Sequence, residues 1–469
     1  MRQVFLPMSY IYSVRFVYPL KPLTRQLREE LYTQPFSIIE FASHRNSISP
    51  TDDYHPKTLI LRIIFWILAH VWFPYLRTQS LKRRAEAWTY DLISREDENT
   101  DFANLGPVSS PMNLLACYIH DGPDSYSVRR HCERLPDFLW MKSEGMLMNG
   151  TNGVQTWDTS FVVQAVYEAG LATDPKWSAM LLKALEFLDD QQIREDCREQ
   201  ETCYRQRRKG AWAFSTREQG YTVSDCTSEA MKAVLMLQSL PSFPKLVSDE
   251  RIRDAVDTLL TMQNAHTGGF SSYEPQRGSE YMEYLNAAEV FGRIMVEYDY
   301  PECTTAVVTA LRMFSTTHDV NYRRDDIARA LEGALKYIRN AQRPDGSWYG
   351  SWGICFTYAG MFALESLASI GETYDTSARV RKACAFLLSK QNDDGGWGES
   401  YKSCESGEYV PHPDGSQVVQ TAWAVIALIE ARCTDAEKIQ RGVKMLMGRQ
   451  KRNGEWEQEG IEGVFNKSW

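Results

Sequence analysis

Apolar residues recur at three- and four-residue spacing along most of the chain, with polar and charged positions between them. Trp177–Asp190, Ala230–Leu240, Ile252–Gln263, Ile327–Gln342, Gly360–Ile370 and Val380–Gln391 all follow this period, which predicts helices with one buried face. Two-residue alternation bounded by paired turn signals is nearly absent, so strands are not expected to build the fold. The chain is expected to be all-α. Asn and Gly cluster at Asn149–Gly150–Thr151–Asn152–Gly153, which marks a boundary between two parts of the chain.

One apolar run stands apart. Leu59–Leu76, LILRIIFWILAHVWFPYL, reaches the lower length limit of a spanning helix, but Arg62 and His70 interrupt it and Pro74 lies near its end. It reads as a buried core helix in preference to a span, with contact to one leaflet left open. The first residues, Met1–Pro7, lack a basic segment followed by an apolar run and a small-residue cleavage site, so no signal peptide is expected.

A short motif repeats through the second part. Gln342–Arg343–Pro344–Asp345–Gly346–Ser347–Trp348 and Gln391–Asn392–Asp393–Asp394–Gly395–Gly396–Trp397 share one spacing, and Gln450–Trp456 is a third copy with Asn453 in place of Asp. Gln263–Phe270 is a degenerate fourth with one extra residue, and Gln192–Trp212 a fifth opened by a charged insertion. The period between them suits a pair of helices per repeat. Asp-Gly supplies a tight turn after a helix end, the Gln amide is placed to bond exposed backbone groups, and the aromatic is placed to stack against it. These motifs are expected to staple outer helices to one another, not to catalyse. Asp393–Asp394 belongs to such a turn and is no diphosphate-binding cluster.

Composition narrows the function. Basic residues number 52 against 61 acidic, a formal net charge of -9, which argues against nucleic acid as a partner. Aromatics make up 12% of the chain, enough to line a cavity as well as fill a core. The ten cysteines form no CxxC pair and have no His at zinc-finger spacing, so they read as reduced, mostly buried thiols of an intracellular protein. No HExxH and no Gly-rich phosphate loop is present, and no metal or cofactor is expected.

The repeat resembles the QW motif of triterpene cyclases. Val223–Ser224–Asp225–Cys226–Thr227–Ser228–Glu229 resembles the VSDCTAE signature of 2,3-oxidosqualene cyclases, with Ser228 in place of Ala. Met148–Gly153 running into Trp157–Asp158–Thr159, Glu302–Cys303–Thr304, Gly346–Trp348 with Gly350–Gly353, and Gly463–Ser468 agree with it, so the likeness covers essentially the whole chain. Squalene–hopene cyclases carry DxDD at the acid position, and an Asp-Cys-Thr sequence points to the epoxide.

The resemblance implies two α/α barrels, one inserted into the other. Residues 1–145 would be a remnant of the inserted barrel and 146–469 most of the main barrel without its closing helices. Family members extend beyond both ends, and the segment before the counterpart of Arg2 supplies an active-site His. The chain is therefore expected to be trimmed at both ends and unstable alone. The implied activity is cyclisation of (3S)-2,3-oxidosqualene to a tetracyclic sterol or triterpene, lanosterol- or protostane-type, at the endoplasmic reticulum membrane or a lipid droplet with monotopic contact.

Asp225 would be the acid, Cys226 and Cys303 the thiols that bond its carboxyl, and Glu229 the residue that returns a proton through water. Trp157, Phe214, Tyr273 and Trp352 would stabilise the migrating cation, and Tyr273 would also lie near the final deprotonation. Spacing by itself gives a plainer alternative, in which Ser224 and Asp225 cap a helix, Glu229 is solvated, and the aromatics are core. Two other functions stay open: a non-catalytic remnant, and a protein prenyltransferase β-subunit, which shares the barrel but needs Asp, Cys and His around zinc.

Overall fold

The computed structural model describes residues 2–464 apart from Arg45, Ser143, Glu144, Thr151 and Asn152. Part of the Asn149–Gly153 cluster and Phe465–Ser468 of the last motif lie outside the described residues. The first part holds α1 (Arg2–Val14), α2 (Pro22–Leu31), α3 (Leu59–Ile67), α4 (Gln79–Asn99), α5 (Ser109–Asp121) and α6 (Tyr126–Arg134). An antiparallel hairpin, β1 (Leu139–Lys142) and β2 (Gly145–Met148), ends it. Thr58, Thr78 and Ser125 each accept the third backbone N–H of α3, α4 and α6, satisfying donors a helix start leaves free. Helix α1 packs on α4 and α5 around Tyr10, Tyr90, Ile93 and Ala116.

Leu59–Leu76 is not the core helix expected of it. Only 6% of the stretch is buried, and Leu59, Ile60, Ile63, Trp66 and Ile67 are exposed. Helix α3 widens at Leu68 into a π-helix that runs to Leu76, and the Arg77 N–H bonds the Trp72 carbonyl five residues back at 2.9 Å. Pro74 inside it has no N–H for a tighter ladder, which favours the looser turn. Length and composition reported the segment's apolarity correctly but carry no information about which surface covers it.

The second part alternates between two layers. Its helices come in pairs: α7 (Gln155–Glu168) and α8 (Pro175–Gln191), α9 (Ser224–Gln238) and α10 (Asp249–Thr261), α11 (Pro301–Met313) and α12 (Arg324–Ala341), α13 (Phe356–Ser369) and α14 (Ala378–Ser389). After a short α15 (Lys402–Ser406) comes the last pair, α16 (Val418–Glu430) and α17 (Ala436–Arg449). The first member of each pair is inner, packing neighbour to neighbour in the order α7, α9, α11, α13, α16, and the second packs outside its own partner. This is α/α barrel architecture.

Side-chain size and pattern decide the layer. Every residue from Ser224 to Leu237 is buried on α9, and every residue from Pro301 to Leu311 on α11, because Ser, Ala, Thr and Cys let helices approach from both sides. Outer α12 buries only Ile327, Ala330, Ala334, Leu335 and Ile338, the stripe that a 3.6-residue period predicts. All ten cysteines are free and eight are buried.

The repeated motif staples the outer layer as the sequence suggests. Gln192, Gln263, Gln342 and Gln391 each donate one amide group to the glycine carbonyl of their own turn and to a carbonyl on the next outer helix: Arg251, Ala330, Arg379 and Lys438. The indole N–H of Trp348, Trp397 and Trp456 bonds the carbonyl of Ile338, Leu387 and Leu446, ten residues back, at 2.7–2.8 Å. Gly346 and Gly395 have φ of +99° and +91°, and a Cβ on either would strike the backbone of the next outer helix. Gln391→Ala should cost about 1–3 kcal/mol, since two carbonyls lose a donor. Gln450→Ala should cost less than half of that, because its amide reaches only Gly454 among the described residues. Equilibrium denaturation of the two variants measures the difference.

Candidate active site

The two-layer path returns the chain to the same end of the barrel before each inner helix. Hydrogen bonds confirm that these starts adjoin. The Thr156 N–H bonds the Phe214 carbonyl at 3.0 Å, Ser224 N–H bonds Ser272 carbonyl at 2.9 Å, and Phe356 N–H bonds the Glu399 carboxyl at 3.1 Å. Helix N-termini carry partial positive charge, so this end favours carboxylates. The anchored aromatics of the staples sit just upstream. Phe214 follows Trp212 by two residues, Tyr273 follows Phe270 by three, and Trp352 follows Trp348 by four. Each staple therefore fixes the strand of chain that delivers the next site residue.

Asp225 stands in the first turn of α9 and is 4% exposed. Its Oδ1 accepts the Cys226 N–H at 2.9 Å, and its Oδ2 accepts the Cys303 thiol at 3.6 Å. Burial pushes this carboxyl up to about 6, against the downward pull of those two bonds and with some upward push from the Glu229 charge. Burial also pushes the Cys303 thiol up, which keeps it a donor, and Ser272 Oγ lies 3.3 Å from its sulfur. Capping does not explain the motif. Val223 is the N-cap and makes no side-chain cap, while Ser224 Oγ donates to the Ser271 carbonyl at 2.7 Å.

Cys226 departs from its expected part. It serves Asp225 through its backbone N–H, and among the described residues its thiol makes no hydrogen bond to the carboxyl. Adjacent helix residues do not share a face, so side chains 225 and 226 cannot both point the same way, whereas the amides of a first turn are free to donate. The Cys226 side chain instead packs with Tyr221 and Val223, and Trp157, Phe214 and Tyr273 close around that cluster. Ring centroids lie 5.8 Å apart for Trp157 and Phe214 and 6.5 Å for Phe214 and Tyr273. Three of the four expected aromatics thus form one wall beside the acid's helix.

Trp352 sits apart from that wall. Its ring lies 5.0 Å from that of Tyr300, at the start of α11. Glu302 Oε1 accepts the N–H groups of Ser351 and Trp352, tying this loop to the turn that carries Cys303. Burial raises the Glu302 carboxyl to about 7.

Glu229 is buried, not solvated. Gln164 of α7 donates to its Oε2 at 2.7 Å, and Lys232 lies 2.9 Å away on the same helix. Lys232 also lies 3.4 Å from Glu365 of α13, so the network spans three inner helices. Burial raises the Glu229 carboxyl and the lysine charge opposes it.

Sequence reasoning missed Tyr221, Tyr300, Ser272 and Glu302. Glu302 opens the Glu302–Cys303–Thr304 motif and Tyr221 lies two residues before Val223, but nothing in their spacing marks them for a role. The site is a buried carboxyl raised to about 6 in an aromatic setting, with donors ready for its conjugate base. It can deliver a proton to a weakly basic oxygen and shelter a cation. Around it no metal-ligand cluster forms among the described residues.

Residues 154–467 match the family described as the squalene-hopene cyclase C-terminal domain. The chain belongs to the squalene-hopene and oxidosqualene cyclase family. This cyclase-family chain is 64% identical over 467 residues to a lanosterol synthase of Aspergillus fumigatus, covering 100% of itself and 62% of that protein. It is 44% identical over 471 residues to a mouse lanosterol synthase, covering 100% of itself and 64% of that protein. A terpene cyclase/mutase of Nectria is 46% identical over 464 residues, with 98% and 63% covered. Among solved structures, the type II terpene cyclase MstE of Scytonema gives a TM-score of 0.44 at 16% identity, covering 78% of this chain and 82% of that one. The cyclase-family chain spans less than two thirds of the length of the curated relatives it matches.

Proposed function

We propose that this chain carries the acid-initiated cyclisation of (3S)-2,3-oxidosqualene to a tetracyclic sterol or triterpene. The supporting observation is the Asp225 carboxyl, buried, raised to about 6, and bonded by the Cys303 thiol. Asp225 gives its proton to the oxirane oxygen as the C–O bond breaks, and the electron-poor carbon is taken by a chain alkene. Loss of one proton at the end balances the first, so the net change is an isomerisation. The Cys226 amide and Cys303 thiol stabilise the carboxylate left behind. Trp157, Phe214, Tyr273 and Trp352 offer faces that stabilise positive charge without reacting, about 0.5–2 kcal/mol each when desolvated. Glu229 takes part in returning the proton to Asp225, one helical turn away. The names of the relatives favour lanosterol among the products.

The purified chain with oxidosqualene in detergent, products resolved by gas chromatography and mass spectrometry, tests this. Cyclised product supports it, and a folded chain without product favours a non-catalytic member. Cys303→Ala should slow turnover by about tenfold without abolishing it, one donor to the carboxylate being lost, ~1–3 kcal/mol. That bond favours the ionised form, so its removal should also move the alkaline limb of the pH–rate profile upward. An unchanged limb would disconnect Cys303 from Asp225.

We also propose that residues 1–145 and 146–469 are portions of two barrels, a division that the separate apolar clusters around Tyr90 and around α9–α16 support. We further propose monotopic contact with the endoplasmic reticulum membrane or a lipid droplet, and the exposed apolar surface of Leu59–Leu76 and of Leu23, Leu27 and Leu31 on α2 supports the membrane contact. Binding to phosphatidylcholine vesicles should fall tenfold or more in Ile63→Glu/Trp66→Ser, since burying each apolar side chain contributes ~1.5–3 kcal/mol. Equal sedimentation of variant and wild type would remove the membrane proposal.

A further inference from the structure

Three helices of the first part bring a carboxylate, a thiol and an imidazole to one point. Asp97 of α4, Cys117 of α5 and His131 of α6 are each no more than 1% exposed, and their ligand-type atoms all lie within 4.8 Å of one another. Cys117 Sγ is 3.4 Å and His131 Nε2 is 3.2 Å from the same oxygen, Asp97 Oδ2. Despite that approach, neither ring nitrogen of His131 makes a hydrogen bond among the described residues. Leaving a buried polar group unpaired is costly, so two on one fully buried ring call for an explanation.

Ligands of a common ion sit side by side and point at the ion instead of at each other. With bonds of about 2.0–2.3 Å, neighbouring ligand atoms in a tetrahedral shell lie roughly 3.3–3.8 Å apart. The distances from Oδ2 to Sγ, 3.4 Å, and to Nε2, 3.2 Å, lie in or next to that range, with Sγ and Nε2 within 4.8 Å of each other, and the misaligned imidazole fits a shared ion better than a hydrogen-bonded pair. Asn104 and Asn113 each donate to the other oxygen, Oδ1, at 2.8 Å, which orients the carboxylate from behind as supporting residues of metal sites do.

We propose that Asp97, Cys117 and His131 form a structural site for a divalent metal ion of the zinc class. One carboxylate, one thiolate and one neutral imidazole balance the double positive charge, so the buried centre is neutral. On binding, the Cys117 S–H bond breaks, a sulfur–metal bond forms, and the proton leaves to solvent without any redox change. A water is left to fill the fourth position. The ion would clip α4, α5 and α6 together, and its binding free energy would add to the stability of the first part. The sequence showed no such site because the three ligands are far apart along the chain and match no ligand motif.

The test is to strip the whole chain with a chelator under reducing, partly denaturing conditions and refold it with Co²⁺ as probe. The expected result is a near-ultraviolet thiolate-to-cobalt band with the visible bands of a tetrahedral ion, both lost in Cys117→Ser. Zn²⁺ should raise the thermal midpoint of the wild type and leave that of Cys117→Ser and His131→Ala unmoved. A wild type without the band, or a band that survives Cys117→Ser and so belongs to other thiols, overturns the proposal. Should His131→Ala fail to fold, Cys117→Ser decides the outcome, being nearly isosteric. Neither readout involves cyclisation, so this site and the proposed reaction fail separately.

Discussion

Asp225→Asn should lower cyclisation of oxidosqualene by about 10⁴-fold, the upper end of what a positioned general acid contributes. In the proposed reaction Asp225 supplies the first proton, so its replacement removes the starting step. Asn preserves shape and keeps an oxygen for the Cys226 N–H, so α9 should start as before. Circular dichroism and the thermal midpoint should stay near those of the wild type. Turnover retained within tenfold would exclude Asp225 as the acid.

The pH dependence follows from the same residue. Its carboxyl is raised to about 6 from the ordinary carboxylate range, and the proposed reaction uses the protonated form. Activity should therefore hold below pH 6 and fall tenfold per unit above it, where the proton is lost. Stability shifts with the same sign. The protonated, buried carboxyl is favoured in the fold below the unfolded value, and that advantage disappears as pH rises through about 6.

Trp397→Ala should produce the largest loss of stability, about 3–5 kcal/mol for a buried aromatic truncated to a methyl. Trp397 is fully buried, bonds the Leu387 carbonyl at 2.7 Å, and lies against Gly442 of α17. Its loss leaves a cavity between α14 and α17 and removes one of the two donors to the Leu387 carbonyl, which keeps the Lys390 N–H. Trp456 makes the same indole bond but is 43% exposed, so Trp456→Ala should cost well under half as much. Denaturant titrations of the pair separate burial from the hydrogen bond. Equal losses would show that the staple works through the indole bond alone.

The staples were legible because they are local. In the three regular copies Gln, turn glycine and Trp lie within seven residues, and the indole partner is ten residues back at the preceding helix end. Asp225 was legible as an acid only through resemblance, since its partner Cys303 is 78 residues distant. The part given to the Cys226 thiol failed because neighbouring residues on a helix face different ways, which a motif written as letters does not show. The three-residue cluster of Asp97, Cys117 and His131 escaped notice for the same reason as Glu302 and Tyr221. Each becomes meaningful only beside residues from another helix.

By itself the sequence determined that this protein is helical and that its outer helices are stapled at regular intervals. Those properties depend on neighbours within a few turns, so the order of residues contains them. Tertiary structure alone decided that the inner helices start at one end, that Asp225 meets Cys303 beside an aromatic wall, that Glu229 is buried against Gln164 of another helix, and that Leu59–Leu76 is exposed. Burial and partnership across long separations are properties of packing. A chain states which surfaces want cover, and only the fold decides what covers them.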